Sequence, residues 1–194
     1  KRLRNLARIE RRPGSVWKTA YLAAGRLVPQ KNFAMLLRAF AKAARPHDTL
    51  TIAGEGPERK ALTQLAADLD LAERVVFTGY VPTIDALLAE ADAFVLSSDY
   101  EGLPGVVVEA LAAGLPVRAT DCCVSMACLL DDGRTGLLVQ RGNEAAFADG
   151  LVRIRQFQTD ADRARHIAAG YEIEGAAQRY LDMMADVRRC HRRE

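Results

Sequence analysis

Two glutamates carry most of the chemistry this sequence can do. In the stretch Ser97–Val117, SSDYEGLPGVVVEALAAGLPV, Glu101 stands just before an apolar helix and Glu109 eight residues later, inside it. Between Pro104 and Ala113 only Glu109 can carry a charge. An unpaired carboxylate there would be costly, so it needs a partner or a route to water. The helix start offers unsatisfied backbone N–H groups from Gly105, Val106 and Val107, where anions are favoured. Two carboxylates bracketing an anion-binding helix start suit a ligand with both phosphates and sugar hydroxyls.

Two further loops could serve such a ligand. GRLVPQKN places Arg26 and Lys31 between a strand and a helix. Arg could grip a diphosphate in a bidentate way and Lys as a point charge, although surface cations are also common near helix starts. Gly54 opens GEGP, where glycine allows the backbone to approach a ligand closely; a tight strand-to-helix turn explains these glycines equally well. GEGP lacks the GxGxxG spacing and later acidic residue of a dinucleotide site.

The elements that must position these residues follow a repeating order. Short apolar strands are expected at TAYLAAG (Thr19–Gly25), TLTIAG (Thr49–Gly54), RVVFTGY, AFVLSS, PVRAT and, as a sixth, GLLV (Gly136–Val139). Between them lie helical patterns such as FAMLLRAFAKAAR, with Phe33, Leu36, Leu37, Phe40 and Ala44 on one face. Alternation of this kind implies parallel βαβ units. Strands this apolar suit a sheet covered on both faces. The expected fold is α/β: a doubly wound, six-stranded, parallel Rossmann-like sheet with a C-terminal helical tail. Ligands in such a sheet bind beyond the carboxyl ends of the strands. In the last helix Ala177, Tyr180, Leu181, Met184 and Val187 share a stripe, and its Met residues read as core packing.

Composition excludes several classes. With 194 residues, 49% apolar and 27% charged, the chain suits one well-buried domain rather than disorder. No apolar run approaches the roughly 18 residues of a membrane span. The basic N-terminus KRLRNLARIERR has no apolar core behind it, so it does not read as a signal peptide, and a cytoplasmic location is expected. Net charge is +2, but residues 1–18 hold seven Lys/Arg against one Glu and residues 188–194 four Arg against one Glu. These ends read as solvated helix faces or as contacts to an anionic membrane surface. No aromatic residues interleave them, which argues against nucleic acid. Cys122, Cys123, Cys128 and Cys190 have no recognised zinc spacing and read as free thiols.

Taken together, the loops resemble the retaining glycosyltransferases of the GT-B fold, in the large "group 1" family (family four). The resemblance runs from about Ala20 to Gln140 on Gly25-Arg26-Leu27 with Lys31, Gly54-Glu55-Gly56-Pro57, Val76-Phe77-Thr78-Gly79-Tyr80, Glu101-Gly102-Leu103-Pro104, Glu109 to Val117, and Asp132 to Leu138. It implies that Arg26 and Lys31 bind the diphosphate and that Glu109 accepts hydrogen bonds from the ribose hydroxyls. Glu101 would face the donor sugar, with the backbone of Gly102, Leu103, Gly105 and Val106 against sugar hydroxyls and phosphate. The loop at Tyr80 and Val81 would hold the base. The donor implied is a nucleotide-sugar, with UDP preferred over GDP, and no bound metal is needed.

One departure lies after the fifth strand, where the family often has a Gly-Gly/Pro-x-x-Glu turn and this chain reads Asp121-Cys122-Cys123-Val124-Ser125-Met126-Ala127-Cys128. The resemblance also implies a second, acceptor-binding N-terminal domain. Residues 1–18 then read as a basic interdomain linker rather than core, 19–157 as the donor-binding domain, and 158–194 as helices that pack back on that other domain. The implied activity is transfer of a hexose to a glycan or lipid-linked acceptor in cell-envelope polysaccharide or lipopolysaccharide synthesis, peripheral to the inner face of the membrane. The donor half alone would be inactive. A nucleotide-sugar epimerase of the same fold and a non-catalytic docking module are the alternatives.

Overall fold

The computed structural model of the chain describes residues 2–9 and 17–191. Pro13-Gly14-Ser15, whose residue types predict a break in the basic N-terminal segment, and the terminal Arg192, Arg193 and Glu194 lie outside them. In chain order the elements are α1 (Arg2–Leu6), β1 (Ala20–Ala24), a 3₁₀ turn (Pro29–Lys31), α2 (Phe33–Ala43), β2 (Thr49–Ala53), α3 (Arg59–Asp68), β3 (Val75–Gly79), α4 (Asp85–Glu90), β4 (Ala93–Leu96) and α5 (Gly105–Ala112). β5 (Val117–Thr120), α6 (Ser125–Leu129), β6 (Gly136–Val139), α7 (Glu144–Ile154), α8 (Ala161–Ala169) and α9 (Ile173–His191) follow. The six strands form one parallel sheet in the order β3-β2-β1-β4-β5-β6. The chain reverses its direction of growth between β1 and β4, which makes that junction the switch point of a doubly wound sheet.

The strand pleat sends alternate residues to two cores. Tyr21 and Ala23 of β1 and Ala93 and Val95 of β4 join Phe40, Leu62 and Phe147 from the helices on one face. Leu22, Ala24, Phe94 and Leu96 join Leu88, Val107, Leu111 and Ala164 on the other. The starts of α2, α7 and α8 are set by polar side chains that accept otherwise unbonded N–H groups. Asn32 accepts from Met35 N, Asn143 from Ala146 N and Asp160 from Arg163 N. A buried network ties three elements behind the sheet. Asp48, fully buried, accepts from Thr19 N at 2.8 Å and from Arg155 Nη2 at 2.8 Å, and Arg155 Nε lies 3.0 Å from Tyr21 Oη.

Three features differ from the reading of the sequence. The face of β2 and β3 that carries Thr49, Val76 and Thr78 is exposed, Val76 at 54%. α4 has only six residues, about 9 Å of helix, too short to cover it. The basic N-terminal segment contributes to the core, because Leu6 is fully buried against the α5 side of the sheet. On α9, Tyr180, Leu181, Met183 and Met184 are exposed at 60%, 61%, 53% and 39%. The described part of its apolar stripe is therefore not core of this domain.

Candidate functional site

At the carboxyl ends of β1, β2 and β3 the backbone closes into a tier of main chain. Gly25 N donates to Ala53 O at 2.9 Å, and Gly54 N donates to Gly79 O at 2.9 Å. A Cβ on Gly54 would lie 1.9 Å from Gly25 O, and one on Gly56 would lie 2.3 Å from Leu27 O. The glycines of GEGP are thus required by contact between two loops. Leu27, fully buried, anchors the same contact, donating to Glu55 O at 2.8 Å and accepting from Glu58 N at 3.0 Å. Arg26 is exposed on this loop and has no ion-pair partner among the described residues. Tyr80 follows the tier after β3 at 77% exposure, and Val81 packs against the α5-side core.

Across the switch point, the loop after β4 is laced to the loop after β1. Ser97 Oγ donates to Lys31 O at 2.7 Å, Asn32 Nδ2 to Asp99 Oδ1 at 2.9 Å, and Gln30 Nε2 to Tyr100 O at 2.8 Å. This lacing brings Lys31 Nζ onto Glu101 Oε1, which also accepts from Ser98 Oγ at 2.7 Å. The Glu101 side chain is 9% exposed, and its backbone N–H donates to Cys122 O at 3.1 Å. Cys122, Cys123 and Cys128 are free thiols, and burial pushes the Cys122 thiol up to about 12, which keeps it protonated.

The start of α5 is partly open. Val107 N turns back to Pro104 O at 2.9 Å, so it is not among the donors offered, contrary to the sequence reading. Gly105 and Val106 have no backbone acceptor among the described residues, and Pro104 provides no side-chain cap. A Cβ on Gly102 or Gly105 would meet nothing within 4 Å. Packing therefore does not demand glycine at either place, whereas a ligand approaching the backbone would. Farther along the helix, Glu109 is 19% exposed, with Oε2 3.2 Å from Arg2 Nη2. Burial pushes its carboxyl above the ordinary range, Arg2 pulls it back, and the charge of Asp85 pushes it up again. Glu101 and Glu109 thus belong to separate charged clusters on either side of the helix start.

Sequence reasoning missed Ser98, Asn32, Asp85 and Arg2. Ser98 and Asn32 had a local signal, being a polar pair with loop neighbours at the switch point. Arg2 and Asp85 had none, because their meeting with Glu109 is purely tertiary. Two Asp-x-Asp spacings also occur, Asp68/Asp70 and Asp160/Asp162. The first ends α3 ahead of β3, and in the second Asp160 caps α8 while Asp162 is paired with Arg165; neither lies in the crevice loops.

In a doubly wound sheet the ligand crevice lies beyond the carboxyl ends of the strands at the switch point, and these loops meet there. Residues 18–156 match the model of the family "Glycosyl transferases group 1", and the chain belongs to that family. It is 33% identical over 169 residues to the lipopolysaccharide core biosynthesis glycosyltransferase LpsE of Rhizobium meliloti (strain 1021), covering 84% of this chain and 49% of the relative. The lipopolysaccharide outer core galactosyltransferase WaaB superposes with a TM-score of 0.81 at 20% identity, over 92% of this chain and 52% of that one. Anabaena Alr3699/HepE in complex with UDP superposes at 0.75 with 25% identity, over 88% of this chain and 49% of that one. The chain therefore spans about half the length of the relatives it matches. No helix among the described residues is long and apolar enough to cross a membrane.

Proposed function

We propose that this chain is the donor-binding, C-terminal half of a retaining glycosyltransferase. The whole protein would transfer a hexose from a nucleotide-sugar to a glycan or lipid-linked acceptor in lipopolysaccharide or other cell-envelope polysaccharide synthesis. The observation that carries the reading is the Lys31–Glu101 pair beside the uncapped start of α5. That arrangement joins one cation to a carboxylate in the loop that leads into α5, whose Gly105 N and Val106 N have no backbone acceptor among the described residues.

In this reading Arg26 and Lys31 hold the diphosphate and stabilise the charge that grows on the departing nucleotide, as preorganised cations do. Glu101 faces the donor sugar, and the backbone of Gly102, Leu103, Gly105 and Val106 receives sugar hydroxyls and phosphate. Glu109 accepts the ribose hydroxyls, and the loop at Tyr80 and Val81 takes the base, with Gly54 shaping the tier beside it. The two cations and the helix start do the electrostatic work, so the reaction needs no bound metal. The UDP held by Alr3699/HepE favours a UDP-sugar here.

The acceptor belongs to the other half of the protein, and the exposed stripe of α9 packs against that half. The enzyme works on the cytoplasmic side, peripheral to the membrane, and the donor half alone does not transfer sugar.

Titration calorimetry of this chain with UDP and with GDP, beside Glu109→Ala, tests the reading. One nucleotide should bind with a dissociation constant on the order of 0.1–1 mM, and binding should vanish in the variant. Equal binding by the variant would sink the donor-site assignment.

A further inference from the structure

Helix α1 is fastened at three points. Leu6 is fully buried in the α5-side core, Arg4 Nε lies 2.7 Å from Glu172 Oε2, and Arg2 reaches two carboxylates at once. Arg2 Nη2 is 3.2 Å from Glu109 Oε2 and 3.6 Å from Asp85 Oδ1. That Asp85 oxygen is enclosed and accepts no hydrogen bond. The charged groups facing Glu109 are therefore Arg2 from α1 and Asp85 from α4. The other helix packed on α5, α8, brings Arg165 to Gly114 beyond the far end of α5.

We infer that Arg2 is a positioning residue for the ribose of the donor, holding Glu109 ionised and fixed while leaving it free to accept the sugar hydroxyls. The inference rests on the donor-site reading above. An ionised carboxylate has about four acceptor positions, and Arg2 takes one. Enough remain for two ribose hydroxyls, so Arg2 and the ribose share Glu109 rather than compete for it. Burial and the like charge of Asp85 both favour protonation of Glu109, and Arg2 opposes them. A protonated Glu109 would lose acceptor positions and its charge. Because the carboxyl sits high, its ionised form disappears as pH falls, and it would disappear at a higher pH without Arg2.

The test uses the full chain. Carboxyl ¹³C NMR follows the titration of Glu109 in the wild type, Arg2→Gln and Arg2→Lys, while calorimetry reads UDP affinity at two pH values. Arg2→Gln should move the Glu109 titration upward, and Arg2→Lys should restore much of it. Between about pH 8 and about pH 5.5, UDP affinity should fall about fivefold more in Arg2→Gln than in the wild type. A Glu109 titration unmoved by Arg2→Gln overturns the inference, and this arm needs no ligand. Tighter UDP binding by Arg2→Gln at both pH values also overturns it, by making Arg2 a competitor. UDP binding unaffected by Glu109→Gln removes the donor site itself, whatever the titration shows.

Discussion

Lys31 is ion-paired with Glu101, 70 positions later in the chain, across the junction of β1 and β4. The pair is 16% and 9% exposed, so truncating one partner strands the other charge in a poorly solvated place. Lys31→Met and Glu101→Gln should each lower stability by about 2 kcal/mol, and the double variant by less than their sum. A double-mutant cycle in urea measures this. Strict additivity would mean that the two charges are not coupled in solution.

The glycines of the crevice should separate into two kinds. Gly54→Ala places a methyl 1.9 Å from Gly25 O at a φ of +142°, and backbone cannot yield as a flexible side chain can. It should cost about 2–4 kcal/mol of stability, read by chemical unfolding. Gly102→Ala meets nothing within 4 Å, so its melting temperature should match the wild type. On the proposed donor site its nucleotide-sugar affinity should nevertheless fall about tenfold, or about 1.4 kcal/mol, because the methyl would stand where that proposal brings the donor to the backbone.

Glu144 should give the fold a pH dependence. It joins α7 to α2 through Lys42 Nζ at 2.5 Å and Arg38 Nε at 2.7 Å. Hydrogen bonds from Lys42, then Arg38, hold its carboxyl below the ordinary range. A carboxyl depressed in the folded state adds stability above its unfolded value, and that stability is lost as pH falls through the folded one. Both cations are substantially exposed, so solvent limits the gain to about 0.5–1 kcal/mol. Glu144→Gln should flatten the acid limb of the stability curve by that amount and leave stability at about pH 7 lower by the same margin.

Asp48 is the sharper case. It is fully buried beneath Thr19 N, Arg45 N and Arg155 Nη2. Asp48→Ala would leave Arg155, only 12% exposed, without its carboxylate. A loss of about 3–5 kcal/mol is expected in thermal unfolding, whereas Asp162→Ala, on a 98% exposed side chain, should cost almost nothing.

The strands, their order of appearance and the loops that meet at the switch point were legible because each depends on local spacing. Apolar runs and glycine at strand ends speak within a few residues; Asn32 before an apolar face speaks as locally and was missed. What stayed hidden depends on contacts between distant segments. Leu6 is one apolar residue in a strongly basic stretch, and nothing local says that it will be buried. Arg118 stands in β5 at 4% exposure, where burial pushes its guanidinium down to about 10. It survives there by donating to Leu138 O and Ala146 O and by lying over the Phe147 ring. Gly150, inside α7, is explained only by Arg118, whose guanidinium would be 2.0 Å from an added Cβ. The bare face of β2 and β3 did have a signal, since Thr49, Thr51 and Thr78 alternate with apolar residues; the uniform apolarity of the other strands concealed it.

The tier made by Gly25, Gly54 and Gly79 is built from main chain held by main chain. Peptide groups cannot be recharged, enlarged or trimmed by exchanging amino acids, and the close contact of Gly54 with Gly25 resists any side chain there. That part of the crevice is a fixed instrument, tuned only by what surrounds it. On the proposed donor site, a lineage that changed its donor would have to write the change into the surrounding positions, such as Tyr80, Glu55 and the loop from 97 to 104. Those are the positions at which exchange of residues between relatives should move specificity without disturbing the fold.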